Sequence, residues 1–169
     1  MKPVKTPDKK SGILYLIRHG AALHGQDDDA RPLSSQGVSE AKALAVLLKQ
    51  DGIPAPDVLW TSSKKRARET ARILADSLGC PVEEGYQWLL PESSADQAAD
   101  NIDTYFIERP SGILMIVSHM PLLPQLAAVL APGSCGSGAA LPTAGCLCFE
   151  KTKSWQMDRL IVPGSRTFE

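Results

Sequence analysis

Two stretches decide the reading of this chain: Gly12-Ile13-Leu14-Tyr15-Leu16-Ile17-Arg18-His19-Gly20 and Gly112-Ile113-Leu114-Met115-Ile116-Val117-Ser118-His119-Met120. Each enters through a glycine, runs through five apolar residues and leaves through a polar residue into a histidine. An apolar run of that length, without alternation, reads as a strand buried on both faces, as in a parallel sheet. Ligands of open α/β sheets bind in the crevice beyond the carboxyl ends of such strands. Two of the three histidines are therefore expected at one site.

Outward from these strands, the pattern alternates. After the strand at 13–17, a loop over 21–32 carries Gly25 and the acidic run Asp27, Asp28 and Asp29, and should line the site. Ser34 or Ser35 caps a helix reaching about Gln50, with Val38, Ala41, Ala45 and Leu48 as its apolar stripe and Asp51-Gly52 as its stop. A strand at 58–60 then feeds a helix at about 64–78, ended by Gly79 and buried through Ala67, Ala71, Leu74 and Leu78. Arg66, one turn in, lies where that strand's carboxyl end meets the helix amino end, within reach of the crevice. A brief strand near 81–83, an irregular stretch 84–93 and a helix from Ser94 to about Glu108 lead into the second histidine strand. Pro121 lies near the first turn of a helix reaching Leu130, a placement that suits a residue without an N–H, and the Gly- and Ser-rich stretch 134–138 reads as a flexible loop. Segments 144–150 and 155–162 read as a hairpin that extends the sheet. This order predicts an α/β fold, a three-layer α/β/α sandwich around a mostly parallel mixed sheet. One domain over 12–169 is expected, preceded by a mobile charged tail at 1–11.

Composition narrows the function classes. The net charge of −1 provides no field to attract nucleic acid or an anionic membrane, so neither is expected as a partner. The apolar runs are far shorter than the roughly 20 residues that span a bilayer, and the first residues lack a signal-peptide core. A cytoplasmic protein is expected. Cys80, Cys135, Cys146 and Cys148 have neither zinc-ligand spacing nor the density of a disulfide scaffold, and Cys146 and Cys148 fall on one strand face. No metal or cofactor is expected.

Arg18-His19-Gly20 at one strand end, Ser62 with Arg66, Ala67 and Thr70 at the next strand-to-helix turn, and Ser118-His119 at a third resemble the histidine phosphatase superfamily, also called phosphoglycerate mutase-like. Arg31-Pro32-Leu33-Ser34, the run from Ser118 to Leu122 and the short chain look most like its small bacterial branch, the phosphohistidine phosphatases of the SixA type. The likeness extends from about residue 13 to 130. It implies that the two histidine strands are neighbours, that His19 attacks phosphorus to form a phosphohistidine intermediate, and that Arg18, Arg66 and His119 hold the phosphoryl oxygens. Such a nucleophile needs one ring nitrogen free and the other fixed, here by a backbone carbonyl near Gly20, whose lack of a side chain permits a tight turn. Nearby Arg18 and Arg66 would hold the imidazole neutral.

The remaining residues are weighed against this site. Lys64, Lys65, Arg66, Arg68 and Arg72 read together as a solvated basic helix face, from which only the motif position singles out Arg66. Arg31 is a candidate for the site rim and His24 is a loop residue. Ala21-Ala22 stand where many family members carry an acidic or polar residue, leaving one loop contact to phosphate unassigned. Larger members protonate an alcohol leaving group with a carboxylic acid; the candidates here are Glu83, Glu84, Glu92 and Asp96, none in a recognisable motif. A site without that acid suits the imidazole leaving group of phosphohistidine better than an alkoxide. The expected activity is thus a metal-independent phosphohistidine phosphatase acting on a phosphoprotein such as a histidine phosphotransfer domain and competed by inorganic phosphate or similar oxyanions. Alternatives are a small-molecule phosphomonoesterase on the same site, a phosphoprotein-binding module without turnover, and a two-histidine metal centre, which the arginines disfavour. With few residues between the third and fourth strands, the pocket is expected to be shallow and lidless.

Overall fold

The computed structural model describes residues 11–134 and 140–164. Six strands, β1 (Gly12–Arg18), β2 (Val58–Thr61), β3 (Val82–Glu83), β4 (Ile113–Ser118), β5 (Cys146–Lys151) and β6 (Trp155–Ile161), form one sheet in the order β3-β2-β4-β1-β5-β6. Pairs β2–β3, β2–β4 and β1–β4 are parallel, whereas β1–β5 and β5–β6 are antiparallel. The terminal hairpin lies beside β1, so the first histidine strand is interior and hydrogen-bonded on both edges.

That position explains the unbroken apolar runs. Ile13, Tyr15 and Ile17 of β1, with Met115 and Val117 of β4, face α1 (Ser35–Gln50) and α2 (Lys65–Leu78). Leu14 and Leu16, with Leu114 and Ile116, face α3 (Ala95–Glu108) and α4 (Leu122–Leu130). A strand covered on both faces has no solvent side and hence no polar alternation. The expected three-layer mixed sandwich is the observed one.

The helices begin and end where their caps dictate. Ser34 Oγ accepts from Gly37 N at 3.1 Å, Ser94 Oγ accepts from Gln97 N at 3.2 Å, and Gly79 closes α2 at φ 74°. Small residues, Ala41 and Ala45 on α1 and Ala67, Ala71 and Ala75 on α2, are buried between these helices and the sheet. Leu74 of α2 and Leu44 and Leu48 of α1 fill the same layer against the sheet.

Some expectations are corrected. Val38 is only half-buried, and Leu44 takes its place in the α1 stripe. Pro121, by contrast, stands near the first turn of α4 as expected, as the residue before it. Ser11 is buried against the start of β1, so it belongs to the domain and not to the tail. Residues 1–10, 135–139 and 165–169, which carry the rest of the expected tail and most of the loop expected at 134–138, lie outside the described residues. Among the described residues, no helix is long and apolar enough to cross a membrane.

Candidate active site

Parallel pairing in register puts Arg18 opposite Ser118, so the next residue of each strand, His19 and His119, leaves the sheet on adjacent tracks. Their ring centroids are 5.1 Å apart at 52°. Both are buried, at 8% and 1% exposure.

His19 is fixed by its own turn. Its Nδ1 donates to Gly20 O at 2.7 Å, which leaves the Nε2 lone pair outward, and Arg66 Nε donates to that lone pair at 3.3 Å. Burial pushes this imidazole down to about 4; the Gly20 bond opposes the shift, and the Arg66, Arg18 and Arg31 cations add to it. The ring is neutral at ordinary pH, with one nitrogen ready to act as a nucleophile or ligand. Gly20 is needed for a different reason than a tight turn. A Cβ there would stand 2.6 Å from Gly37 O, so the glycine permits the approach of the α1 backbone.

His119 Nε2 lies 2.6 Å from Ser62 Oγ. With the hydroxyl donating to Nε2, the proton sits on Nδ1, a buried atom without a partner among the described residues. Burial lowers the His119 pKa to about 2, assisted by His19, Arg66 and Lys64. Arg18 Nη1 donates to Leu141 O at 2.8 Å, while its Nε is buried without a partner among the described residues. Arg18 Nε and His119 Nδ1 thus both keep hydrogen-bonding capacity to spare among the described residues.

Arg66 is 5% exposed and its position is set from behind. Thr70 Oγ1 donates to Arg66 O at 2.8 Å and accepts from Gly20 N at 3.1 Å, tying the first turn of α2 to the turn after β1. The motif residue Thr70 thus joins the two halves of the site. Glu40 of α1 accepts from Ala21 N at 2.8 Å and from Thr143 Oγ1 at 2.7 Å. The amide after Gly20 is consumed by this carboxylate, so it is not free to supply the loop contact left open by Ala21-Ala22.

The acidic loop lies over the site. In a short 3-10 turn, Asp28–Ala30, Asp28 receives Arg66 Nη1 on its carbonyl at 2.8 Å and Arg66 Nη2 on Oδ2 at 3.3 Å. Lys64 Nζ donates to the same Oδ2 and, at 2.7 Å, to Asp29 Oδ1. Arg31 Nη1 reaches Asp28 Oδ1 at 3.0 Å, placing Arg31 at the rim, bound to the loop. The Lys64 hydrogen bond, followed by Arg31 and Arg66, holds the Asp28 carboxyl well below the usual carboxylate range. Burial works against the Lys64 charge, but Asp28 and Asp29 outweigh it and raise its pKa.

Lys64 corrects the reading of a solvated basic face: it is 7% exposed and points into the site. No periodicity could have identified it, because it precedes the first turn of α2 and does not share that helix's outward face. The expectation of a lidless pocket is also corrected, since the loop after β1 covers Arg66 and Lys64. Of the carboxylate candidates, Glu83 accepts from Tyr86 OH, Glu84 pairs with Arg72 at 2.8 Å, and Glu92 and Asp96 are exposed. Exposed His24 and half-buried Arg68 take no part among the described contacts of the site. Cys146 and Cys148 are free thiols whose sulfurs lie 3.9 Å apart on one strand face. No cluster of metal-ligating side chains occurs among the described residues.

The family comparison covers β1 and α2, which carry Arg18, His19 and Arg66. A family model described as the histidine phosphatase superfamily (branch 1) matches residues 14–88. An uncharacterized protein of Picosynechococcus is 34% identical over 135 residues, 78% of this chain and 81% of its own. The phosphohistidine phosphatase SixA of Escherichia coli K12 is 30% identical over 124 residues, covering 71% and 74%. The solved structure of the protein histidine phosphatase SixA complexed with tungstate superposes with a TM-score of 0.80 at 23% identity, covering 89% of this chain and 97% of that one.

Proposed function

The chain belongs to the histidine phosphatase superfamily, and on that footing we propose that it is a phosphohistidine phosphatase, removing phosphate from phosphohistidine on a protein without a metal. The observation that carries the reading is the His19 ring. Its Nδ1–H is tied to Gly20 O, and its free Nε2 faces the guanidinium of Arg66.

In the proposed reaction, His19 Nε2 attacks phosphorus. A new P–N bond forms as the bond from phosphorus to the substrate imidazole breaks, and the departing nitrogen takes a proton from solvent. Water then attacks the phosphohistidine, its oxygen bonding to phosphorus as the His19 P–N bond breaks, and inorganic phosphate leaves. In both steps, charge spreads over three equatorial oxygens and catalysis consists mostly of fixed donors aimed at them. Arg18, Arg66 and the Nδ1–H of His119 supply these donors.

That Asp28, Glu83 and Glu84 are all engaged favours this substrate. Asp28 is held ionised, Glu83 and Glu84 are engaged elsewhere, and an alkoxide would leave without a proton donor from any of them. An imidazole needs less help. Burial of the two histidines suits a phosphoryl group borne on a side chain that reaches inward from a protein surface. The test is phosphate release, measured side by side, from a phosphohistidine-bearing phosphotransfer domain and from a panel of phosphomonoesters. A higher kcat/KM on the phosphoprotein supports the reading; a phosphomonoester that matches it overturns the substrate assignment.

A further inference from the structure

The Nε–H and one Nη2–H of a guanidinium point in parallel and form the fork that grasps two oxygens of a phosphoryl group or a carboxylate. In Arg66, that fork faces His19 Nε2 through Nε and Asp28 Oδ2 through Nη2. The same Oδ2 also receives Lys64 Nζ. One anionic oxygen therefore sits between two cations, beside the nucleophilic nitrogen along the same guanidinium edge.

The two sides of this contact are unequally committed. Lys64 and Arg66 are buried, with side chains 8% and 6% exposed, whereas the Asp28 and Asp29 side chains are 54% and 75% exposed. The cations cannot leave without losing a built position at the start of α2. The carboxylates can leave by a small loop movement into water, where they are well solvated. A lysine buried at this place is also more than a loop anchor requires, since Arg31 and Arg66 already hold Asp28.

We propose that Asp28 Oδ2 keeps the place of a phosphoryl oxygen, and that Lys64 is a further phosphoryl-binding residue that passes from Asp28 to the substrate when this carboxylate moves aside. Arg18 Nε and His119 Nδ1 are buried without partners among the described residues, whereas Lys64 and the Arg66 Nη2 become available only by exchange with the carboxylates of the loop, Asp28 for both and Asp29 for Lys64. A dianionic phosphoryl group, with more charge and more acceptor oxygens than one carboxylate, wins that exchange. The inference rests on the phosphatase reading of the same site, but it concerns anion binding and can be tested without turnover.

The experiment is calorimetric titration of inorganic phosphate and of tungstate into the wild type, Asp28→Asn, Lys64→Met and the double variant, with circular dichroism to verify that each is folded. Asp28→Asn should bind both anions about tenfold tighter, the scale of one competing charge contact removed. Lys64→Met should weaken binding about tenfold when made in the Asp28→Asn background, and by less in the wild type, because there it also loosens Asp28. If Lys64→Met is not folded, Lys64→Gln takes its place. Equal or weaker anion binding by Asp28→Asn would make Asp28 a positioning residue for Arg66 and overturn the proposal. So would an effect of Lys64 substitution under twofold in the Asp28→Asn background. Failure of phosphohistidine hydrolysis with this binding pattern intact would count against the substrate assignment alone.

Discussion

His19 and His119 stand with ring centroids 5.1 Å apart, and both are held uncharged by the same environment. Their strands are 100 residues apart in the chain but neighbours in the sheet, in register to the last residue. Two imidazoles this close would repel if both were protonated, and the surrounding Arg18, Lys64 and Arg66 add to that cost. The neutral pair is the consequence, with a pH dependence that can be measured.

His19 should titrate by NMR near pH 4 and not near 6.5, because its folded pKa is lowered by burial. A midpoint at 6 or above would contradict the buried, arginine-flanked ring. Stability has a matching sign. Between about pH 6.5 and 4, the unfolded chain binds protons at His19 and His119 that the folded protein refuses, so stability is complete above this window and declines as pH falls through it. Each histidine contributes a slope of up to about 1.4 kcal/mol per pH unit. Urea unfolding at pH 7, 6 and 5 measures it, and a rise in stability toward pH 5 would refute the assignment.

His19→Ala should abolish turnover, by a factor of ~10³ or more, and leave the circular dichroism spectrum unchanged, because the side chain ends a strand and is not part of the sheet packing. Acid-labile phosphate trapped on the wild type during turnover should be missing from the variant. Activity within tenfold of wild type would exclude His19 as the nucleophile.

Arg66→Ala should cost about 2 to 5 kcal/mol in kcat/KM, the range for truncating one partner of a desolvated charge pair, with Arg18→Ala similar. Arg68→Ala, one helix face away, should change it by less than about 0.5 kcal/mol. A larger loss from Arg68 would show that the wrong face of α2 had been assigned to the site.

Gly37→Ala tests the contact behind the site. Helix propensity alone favours alanine by roughly 0.5–1 kcal/mol. A Cβ at Gly37, however, would lie 2.0 Å from Ala21 O, a backbone atom that cannot rotate away. Strain of about 1–3 kcal/mol should therefore outweigh propensity, lowering the melting temperature and kcat/KM together. A variant as stable and active as wild type would mean that the turn after β1 yields freely.

Activity should survive EDTA, and inorganic phosphate, tungstate and vanadate should compete with substrate, since the donors described are those of an oxyanion pocket. Loss of activity in EDTA that one divalent ion restores would bring back the two-histidine metal centre.

The parts of the molecule legible in the sequence were those written along one strand or one helix. Buried strands ending in Arg18-His19 and Ser118-His119, the Ser34 and Ser94 caps and the Gly79 stop are local patterns with local causes. Gly20 was legible as a necessary glycine, but its cause, the backbone of Gly37 across the turn, was not. Lys64 was misread because burial depends on what covers a residue, and its cover, Asp28, is 36 positions away on an irregular loop. Nor could the sequence foretell that Glu40 would occupy the Ala21 amide, because the first turns of α1 must first be placed against the loop.

The peptide of His19 is gripped from both edges: its N–H donates to Ser118 O at 3.1 Å, and its carbonyl accepts from Ala144 N at 3.1 Å. Arg18 N likewise donates to Gly145 O at 3.0 Å. The first residues of the site to leave the ribosome are thus held by some of the last. Closing contacts of such sequence separation is slow, and those to Ala144 and Gly145 cannot form until that segment has emerged. A nascent chain arrested before Ala144 would carry His19, Arg66 and His119 and still lack the two backbone bonds, from Ala144 N to His19 O and from Arg18 N to Gly145 O, that fix the end of β1 on this edge.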